Sequence, residues 1–252
     1  MSARSAARDW DASTYERVSD PQVGWARAIL DRLPLEGDET VLDAGCGTGR
    51  VTQLLLDRLP RGHVIAVDSA PSMVETAREA LGERATVIQS DLAELTLEEL
   101  VDAAFSNAVF HWIPDHDGLF AALHAAMRPG APLVAQCGGR GNVERFHETV
   151  KEVAEEDPFA EHLGGWGGPW NYAGPEETAA RLERAGFEAV KTWLEPWPLT
   201  PPEPREYMRS VCLGHHLERL PEELRGAFTD AVAERANPEL DYVRLNISAR
   251  RG

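Results

Sequence analysis

Three glycines at alternate positions behind an acid, in Asp43-Ala44-Gly45-Cys46-Gly47-Thr48-Gly49, are the residues of this chain best suited to holding a ligand. Glycine lets a backbone approach a ligand closely and take torsions that other residues resist. Val51, Leu54, Leu55 and Leu59 follow at helical spacing, so a helix begins just behind the glycines and offers free N–H donors. The spacing Asp-x-Gly-x-Gly-x-Gly is not the Gly-x-Gly-x-x-Gly of dinucleotide sites. It points to a nucleoside-containing ligand without a pyrophosphate and disfavours a nicotinamide oxidoreductase. Two more acids fit that ligand. Asp68 comes nineteen residues after Gly49, the separation at which an acid accepts bonds from a ribose diol. Asp91 follows a short apolar run, where a carboxylate can accept from an adenine amine, and Asp43 can bond loop amides or a ligand ammonium. Singly, Asp68 and Asp91 each read as well as a helix cap. Three acids and three glycines together are less ordinary.

The elements that must position these residues alternate from 41 to 137. Apolar runs at 41–44, 64–68, 86–89, 102–107 and 133–137 read as strands, and helical patterns lie between most of them. One helix continues from the glycines, one starts at Ser69 and Pro71 with Met73, Ala77 and Leu81 on one side, and one opens at Pro114 with Leu119, Leu123 and Met127. Thr96 and Glu99 have the spacing of a capping box. Such alternation specifies an α/β fold with a parallel sheet covered on both faces. Ligands of these sheets bind beyond the carboxyl ends of the strands, where Asp43, Asp68, Asp91 and Asn107 fall. Upstream, Asp20-Pro21 begins a helix with Val23, Ala26, Ile29, Leu30 and Leu33 on one face. Downstream the alternation breaks. A helix over 143–153, a glycine-rich loop at 164–168, a helix from Pro175 and an extended run 187–197 come first. Helical segments at 207–217 and 222–236 follow, then an alternating tail at 241–249 that reads as a half-buried closing strand. Residues 200–240 are thus a helical insertion before the last strand.

Composition narrows the partners. Twenty-five basic residues against 42 acidic ones leave a net charge of −17, and such a surface repels nucleic acid and anionic membranes. Apolar runs fall well short of the ~20 residues of a membrane helix, and residues 1–9 lack the apolar segment of a secretory signal. Three cysteines without metal-like spacing suit a reducing cytoplasm. His215-His216 have no acid or thiol at ligand spacing, so no metal is expected. The expected partner is a small molecule, and the expected state is a monomer or weak homodimer.

The block 41–52, the strand 64–68, Ser90-Asp91-Leu92 and Met127-Arg128-Pro129-Gly130 resemble the class I S-adenosylmethionine-dependent methyltransferases over most of the chain. The finer resemblance, through Trp10-Asp11-Ala12-Ser13-Thr14-Tyr15, the stretch Ser106–His116, the region 202–207 and the helical insertion, is to the trans-aconitate methyltransferase subgroup. The resemblance implies a doubly wound, mostly parallel, seven-stranded Rossmann-like sheet. It implies S-adenosylmethionine as cofactor, with S-adenosylhomocysteine as product. Gly45, Gly47 and Gly49 would hold its methionine portion, Asp68 its ribose and Asp91 its adenine, with Asp43, Cys46, Ser69, Met73, Leu92 and Asn107 completing the site. It further implies one methyltransferase domain over 1–252: an N-terminal helical cap or lid at 1–35, a cofactor core at 36–140, and substrate-side insertions at 141–175 and 200–240.

Members of that subgroup esterify a carboxylate of a small polycarboxylic acid, so O-methylation of an organic acid is the first expectation. A carboxylate is ionised at neutral pH and needs no general base, whereas a phenol usually does. His111 and Trp112 are therefore expected to position rather than to move protons, since a histidine beside aromatic residues is more often a hydrogen-bonded wall than a catalyst. The alternative is methylation of a hydroxyl, amine or carbon of a natural product with His111 or His147 as base. A third reading, from another class, is a nucleoside-binding module without turnover. Trp10 and Tyr15 are candidates for an aromatic lid. Arg140, His147, Arg209 and His215 are candidates for substrate cations and donors, and Trp166 and Tyr172 for pocket walls. For the arginines the competing role is a solvated helix face, and for the aromatics it is core packing.

Overall fold

The computed structural model describes residues 20–252, with side chains from residue 24; Trp10 and Tyr15 lie outside the described residues. The strands are β1 Thr40–Ala44, β2 His63–Asp68, β3 Ala85–Gln89, β4 Ala103–Asn107, β5 Pro132–Gly138, β6 Phe187–Pro196 and β7 Val243–Arg251. They form one sheet in the order β3-β2-β1-β4-β5-β7-β6. β1 to β5 run parallel, and β7 enters antiparallel between β5 and β6. The chain winds outward from β1 to β3 and then crosses back to β4. That reversal opens a crevice at the carboxyl ends of β1 and β4.

The helices are α1 Asp20–Leu30, α2 Arg50–Arg58, α3 Pro71–Leu81, α4 His116–Ala126, α5 Glu144–Ala154, α6 Ala160–Leu163, α7 Pro175–Arg184, α8 Pro204–Tyr207, α9 Gly214–Arg219 and α10 Glu222–Arg235. α1, α2 and α3 cover one face of the sheet, where Ile29, Leu55 and Leu81 pack on Val41, Phe105 and Val134. α4 and α7 cover the other, with Leu119, Phe120 and Leu182 on Leu42, Leu133 and Ile247. Each such fully buried side chain stabilises the fold by about 1.5–3 kcal/mol. A third cluster holds the helical cap together, where Phe146, Val150, Phe159, Phe228 and Val232 interlock, with Trp25 of α1 packed against it.

Three local expectations change. Residues 95–100 form no helix. The helical turn lies earlier, at Leu92–Glu94, and Asp91 caps it by accepting from the Ala93 N–H at 2.9 Å. The segment read as one helix at 207–217 is broken: the Leu213 N–H reaches the Met208 carbonyl at 2.8 Å, a wide i→i+5 turn that separates α8 from α9. Finally, β7 is buried on both faces. Leu245 and Ile247 point into the core shared with α4 and α7, while Arg244 and Asn246, on the polar side of a strand expected to be half-buried, are 2% and 0% exposed. α1 lies over that side, and Arg32, just beyond its end, donates to the Asn246 Oδ1 at 2.6 Å.

Candidate active site

A cleft of about 970 Å³ opens where the strand order reverses, lined by the loops after β1, β2, β3 and β4 and by the helical cap. Its floor is the glycine loop. The N–H groups of Gly45 and Cys46 both donate to the Val67 carbonyl, at 2.8 and 2.9 Å, which draws the loop against β2. Gly45 has φ 89°, and a Cβ there would stand well inside contact distance of the Val109 side chain. Gly47 has φ 54°, nothing stands within 4 Å of its Cβ position, and its backbone faces the cleft. Gly49 does not line the cleft; its left-handed backbone starts α2 close against Leu81.

The acids divide by environment. Asp43 is 1% exposed and accepts from the Thr52 hydroxyl at 2.7 Å. Burial pushes its carboxyl up to about 7, with the Thr52 bond opposing and nearby Asp68 adding to the rise. Asp68 accepts from the Gly47 N–H through Oδ2 and from the Ala70 N–H through Oδ1, each at 2.9 Å. Burial raises its carboxyl too, against the pull of those bonds. A carboxylate has about four lone-pair sites, so Asp68 keeps capacity toward the cleft. Asp91 is exposed on the rim, with Oδ1 committed to its cap. Cys46, Ser69, Met73 and Leu92 line the space between them, and Asn107 lines it from the end of β4.

Beyond β4 the cleft becomes aromatic. Ala108, forced to φ 63°, donates its N–H to the Gln136 carbonyl at 2.7 Å and turns the chain into the short helical stretch Phe110–Trp112. His111 Nδ1 accepts from the Gly138 N–H at 3.2 Å. An accepting Nδ1 carries no hydrogen, so in the neutral ring the hydrogen is on Nε2. Burial holds this imidazole well below its ordinary pKa, and Arg244 and His116 push the same way. Tyr172 stacks on it at 5.8 Å, and Trp112 sits between it and His215, at 4.9 and 5.3 Å. His147, on α5, has Nε2 3.4 Å from the Tyr172 hydroxyl, and burial pushes its pKa down to about 4.

The remaining sequence candidates lie elsewhere. Arg140 is exposed 3.9 Å from Glu176, and Arg209 pairs with Glu206 at 3.1 Å on the surface of the cap. Trp166 packs beneath the Arg219 guanidinium and edge-on to His216. None of the three lines the cleft. In their place stand four residues that the sequence reading did not select: Trp25, Asn142, Tyr242 and Arg244. Arg244 donates through Nε to the Gln136 Oε1 at 3.3 Å and lies over the Trp25 ring at 5.0 Å. Gln136 in turn donates to Asn246, which donates to Glu195, so a buried polar chain fixes the guanidinium.

A methyltransferase-domain family model matches residues 41–130. A trans-aconitate 2-methyltransferase of Methylobacterium nodulans is 34% identical over 187 residues, 74% of this chain and 67% of the relative. Another of that name, from Azoarcus sp., is 38% identical over 156 residues, 62% of this chain and 60% of its own length. Among solved structures, a phosphoethanolamine N-methyltransferase 2 of Haemonchus contortus in complex with S-adenosyl-L-methionine superposes with a TM-score of 0.64 at 18% identity, covering 99% of this chain and 59% of that one. The chain belongs to the class I S-adenosylmethionine-dependent methyltransferases.

The cleft of this methyltransferase fits its cofactor. An open backbone at Gly47, unspent acceptor sites on Asp68 and an apolar wall of Met73, Leu92 and Val109 match the polar tail, ribose and base of a nucleoside. Asp68→Ala is expected to weaken cofactor binding by about 1.5–3 kcal/mol, the range for hydrogen bonds to a charged group. Calorimetric titration checks this. An unchanged affinity in a folded variant would remove Asp68 from the site.

Proposed function

We propose that the protein methylates a carboxylate of a small organic acid and releases a methyl ester. The observation that carries this reading is the Gly138 N–H on His111 Nδ1. It leaves the best-placed histidine as an Nε2–H donor, with no lone pair free to take a proton, so the site suits an acceptor that arrives ionised. His147 Nε2 is engaged with the Tyr172 hydroxyl at 3.4 Å, and a pKa of about 4 makes it a weak base for a hydroxyl or an amine. When bound, S-adenosylmethionine supplies a methyl group on a positively charged sulfur, open to in-line attack by an ionised oxygen. The protein's part is alignment and desolvation. Asn107, His111 and Trp112 orient the acceptor, while Trp170 and Tyr172 exclude water above it. The names of the relatives, trans-aconitate 2-methyltransferase, also point to a carboxylic acid as acceptor.

A pH profile tests the reading. Burial keeps His111 and His147 neutral throughout the neutral range, so kcat for an organic acid is expected to stay flat between about pH 6 and 9. The product should release methanol on mild alkaline hydrolysis. A log-linear rise through the histidine range, lost in His111→Ala, would instead favour a hydroxyl or amine acceptor with a histidine base.

Residues 1–35 are the proposed lid, 36–140 the cofactor core, and 141–175 with 200–240 the substrate side. A cytoplasmic setting accords with three buried, unpaired cysteines, and a monomer or weak homodimer is the proposed state. No helix among the described residues is long and apolar enough to cross a membrane.

A further inference from the structure

The acceptor end of the cleft has an unusual charge balance. Among the described lining residues that follow β5, Arg244 is the only one with a permanent charge. It is 2% exposed, its Nε is taken by Gln136, and its Nη2 is buried without a hydrogen-bond partner. No carboxylate lies within ion-pair distance of it among the described residues. An arginine stays protonated under all ordinary conditions, so a buried guanidinium with no counter-charge is costly unless a ligand supplies one. The buried chain through Gln136 and Asn246 holds the side chain in place, and Trp25 packs on its flat face, so the unused Nη2 edge is ordered before any ligand arrives. A planar fork of this kind is made for a carboxylate.

The rest of this end supplies no second permanent positive charge, and His215, which lines it, stands 3.7 Å from the Glu218 carboxylate, which offsets any charge it gains. His147 and His216 are held neutral at pH 7 by burial, at about 4 and about 3. Trp25, Trp112, Trp170, Tyr172 and Val211 form the walls. One guanidinium compensates one carboxylate. A second or third would be stripped of water against aromatic rings, with no second guanidinium to pair it.

We propose that Arg244 binds the acceptor's carboxylate and that the acceptor is a monocarboxylic acid with an aromatic or alkyl body, rather than a di- or tricarboxylic acid. This rests on the reading that the acceptor atom is a carboxylate oxygen, and deepens it.

Labelled methyl transfer by the full chain would be compared across cinnamate, octanoate, citrate, trans-aconitate and a phenol. Wild type is expected to favour the monocarboxylates over the tricarboxylates by at least about 100-fold in kcat/KM, the scale of leaving a buried charge unpaired. In Arg244→Met, KM for the preferred monocarboxylate should rise about 100-fold, with calorimetric cofactor affinity unchanged. Arg244→Lys should recover only part of the loss, because it keeps the charge and loses the fork. Preferred transfer to citrate or trans-aconitate would overturn the monocarboxylate claim while leaving the carboxylate reading intact. Transfer to the phenol alone would overturn both. An unchanged KM in Arg244→Met and Arg244→Lys, with monocarboxylates still preferred, would remove Arg244 from the site. Should Arg244→Met fail to fold, Arg244→Lys and the wild-type ranking decide the matter.

Discussion

Gly45→Ala destabilises the protein by about 2–5 kcal/mol and removes measurable cofactor binding. About 1–2 kcal/mol comes from placing a side chain on a left-handed backbone, and about 1–3 kcal/mol from forcing a methyl group into packed surroundings. Both apply at Gly45, with φ 89° and the Val109 side chain already in the space of its Cβ. Neither neighbour yields easily. Val109 belongs to the turn that carries His111, and the Gly45 N–H is tied to the Val67 carbonyl at 2.8 Å. A new methyl group must therefore push the glycine loop and the acceptor turn apart, which ruins the cleft on both sides. Two comparisons separate the contributions. Gly45→Ala combined with Val109→Ala should recover the packing part and leave the backbone part. Gly47→Ala has the same left-handed strain but open space, so it should cost only about 1–2 kcal/mol of stability. Denaturant titrations of the four proteins measure this, and equal losses for Gly45→Ala and Gly47→Ala would refute the steric argument.

The contrast between the two glycines shows what the sequence can express. The loop, its alternate glycines and the strand-end acids were legible because each is a local pattern: an apolar run, a turn residue, an acid at the end. β1 to β5 were readable for the same reason. The acceptor end was not, because its key residue depends on what covers it. The tail alternates Arg244 and Asn246 against Leu245 and Ile247. Alternation reveals two faces and implies that the polar one is wet. Only the fold shows α1 lying across that face, with Trp25 on the guanidinium and Arg32 on Asn246.

The same blindness worked in reverse for Arg140 and Arg209. Both stand on segments near the strand ends, but Glu176 and Glu206 hold them at the surface. Thr96 and Glu99 had the spacing of a cap, yet this stretch is irregular and bends on its way to β4, burying Leu95 and Val101. His111 was found as a residue but not as a tautomer, since its donor, Gly138, lies at the end of β5, far away in the chain.

The cofactor's affinity is expected to rise with pH up to about 7, and its binding to release a proton that Asp43 gives up. Asp43 is buried beneath the glycine loop and its folded pKa is raised to about 7, above the ordinary carboxylate value. For a group raised in this way, the contribution to folding stability is full below about pH 4 and is lost as pH rises through 7. A cationic ligand in the same cleft favours the ionised carboxylate, so binding lowers the pKa that burial had raised. Below about pH 7 affinity should therefore fall by up to tenfold per pH unit, the limit for one linked proton. Asp68 adds the same sense, since burial raises its carboxyl as well. Asp43→Asn keeps the shape and can still accept from Thr52, but has no proton to release. It should bind the cofactor more weakly at pH 8 and lose most of the pH dependence, while apo stability at pH 8 stays level or rises because a buried charge has gone. Titration calorimetry in buffers of different ionisation enthalpy counts the protons directly. Equal proton release in wild type and Asp43→Asn would assign the linkage to another group, with Asp68 the next to substitute.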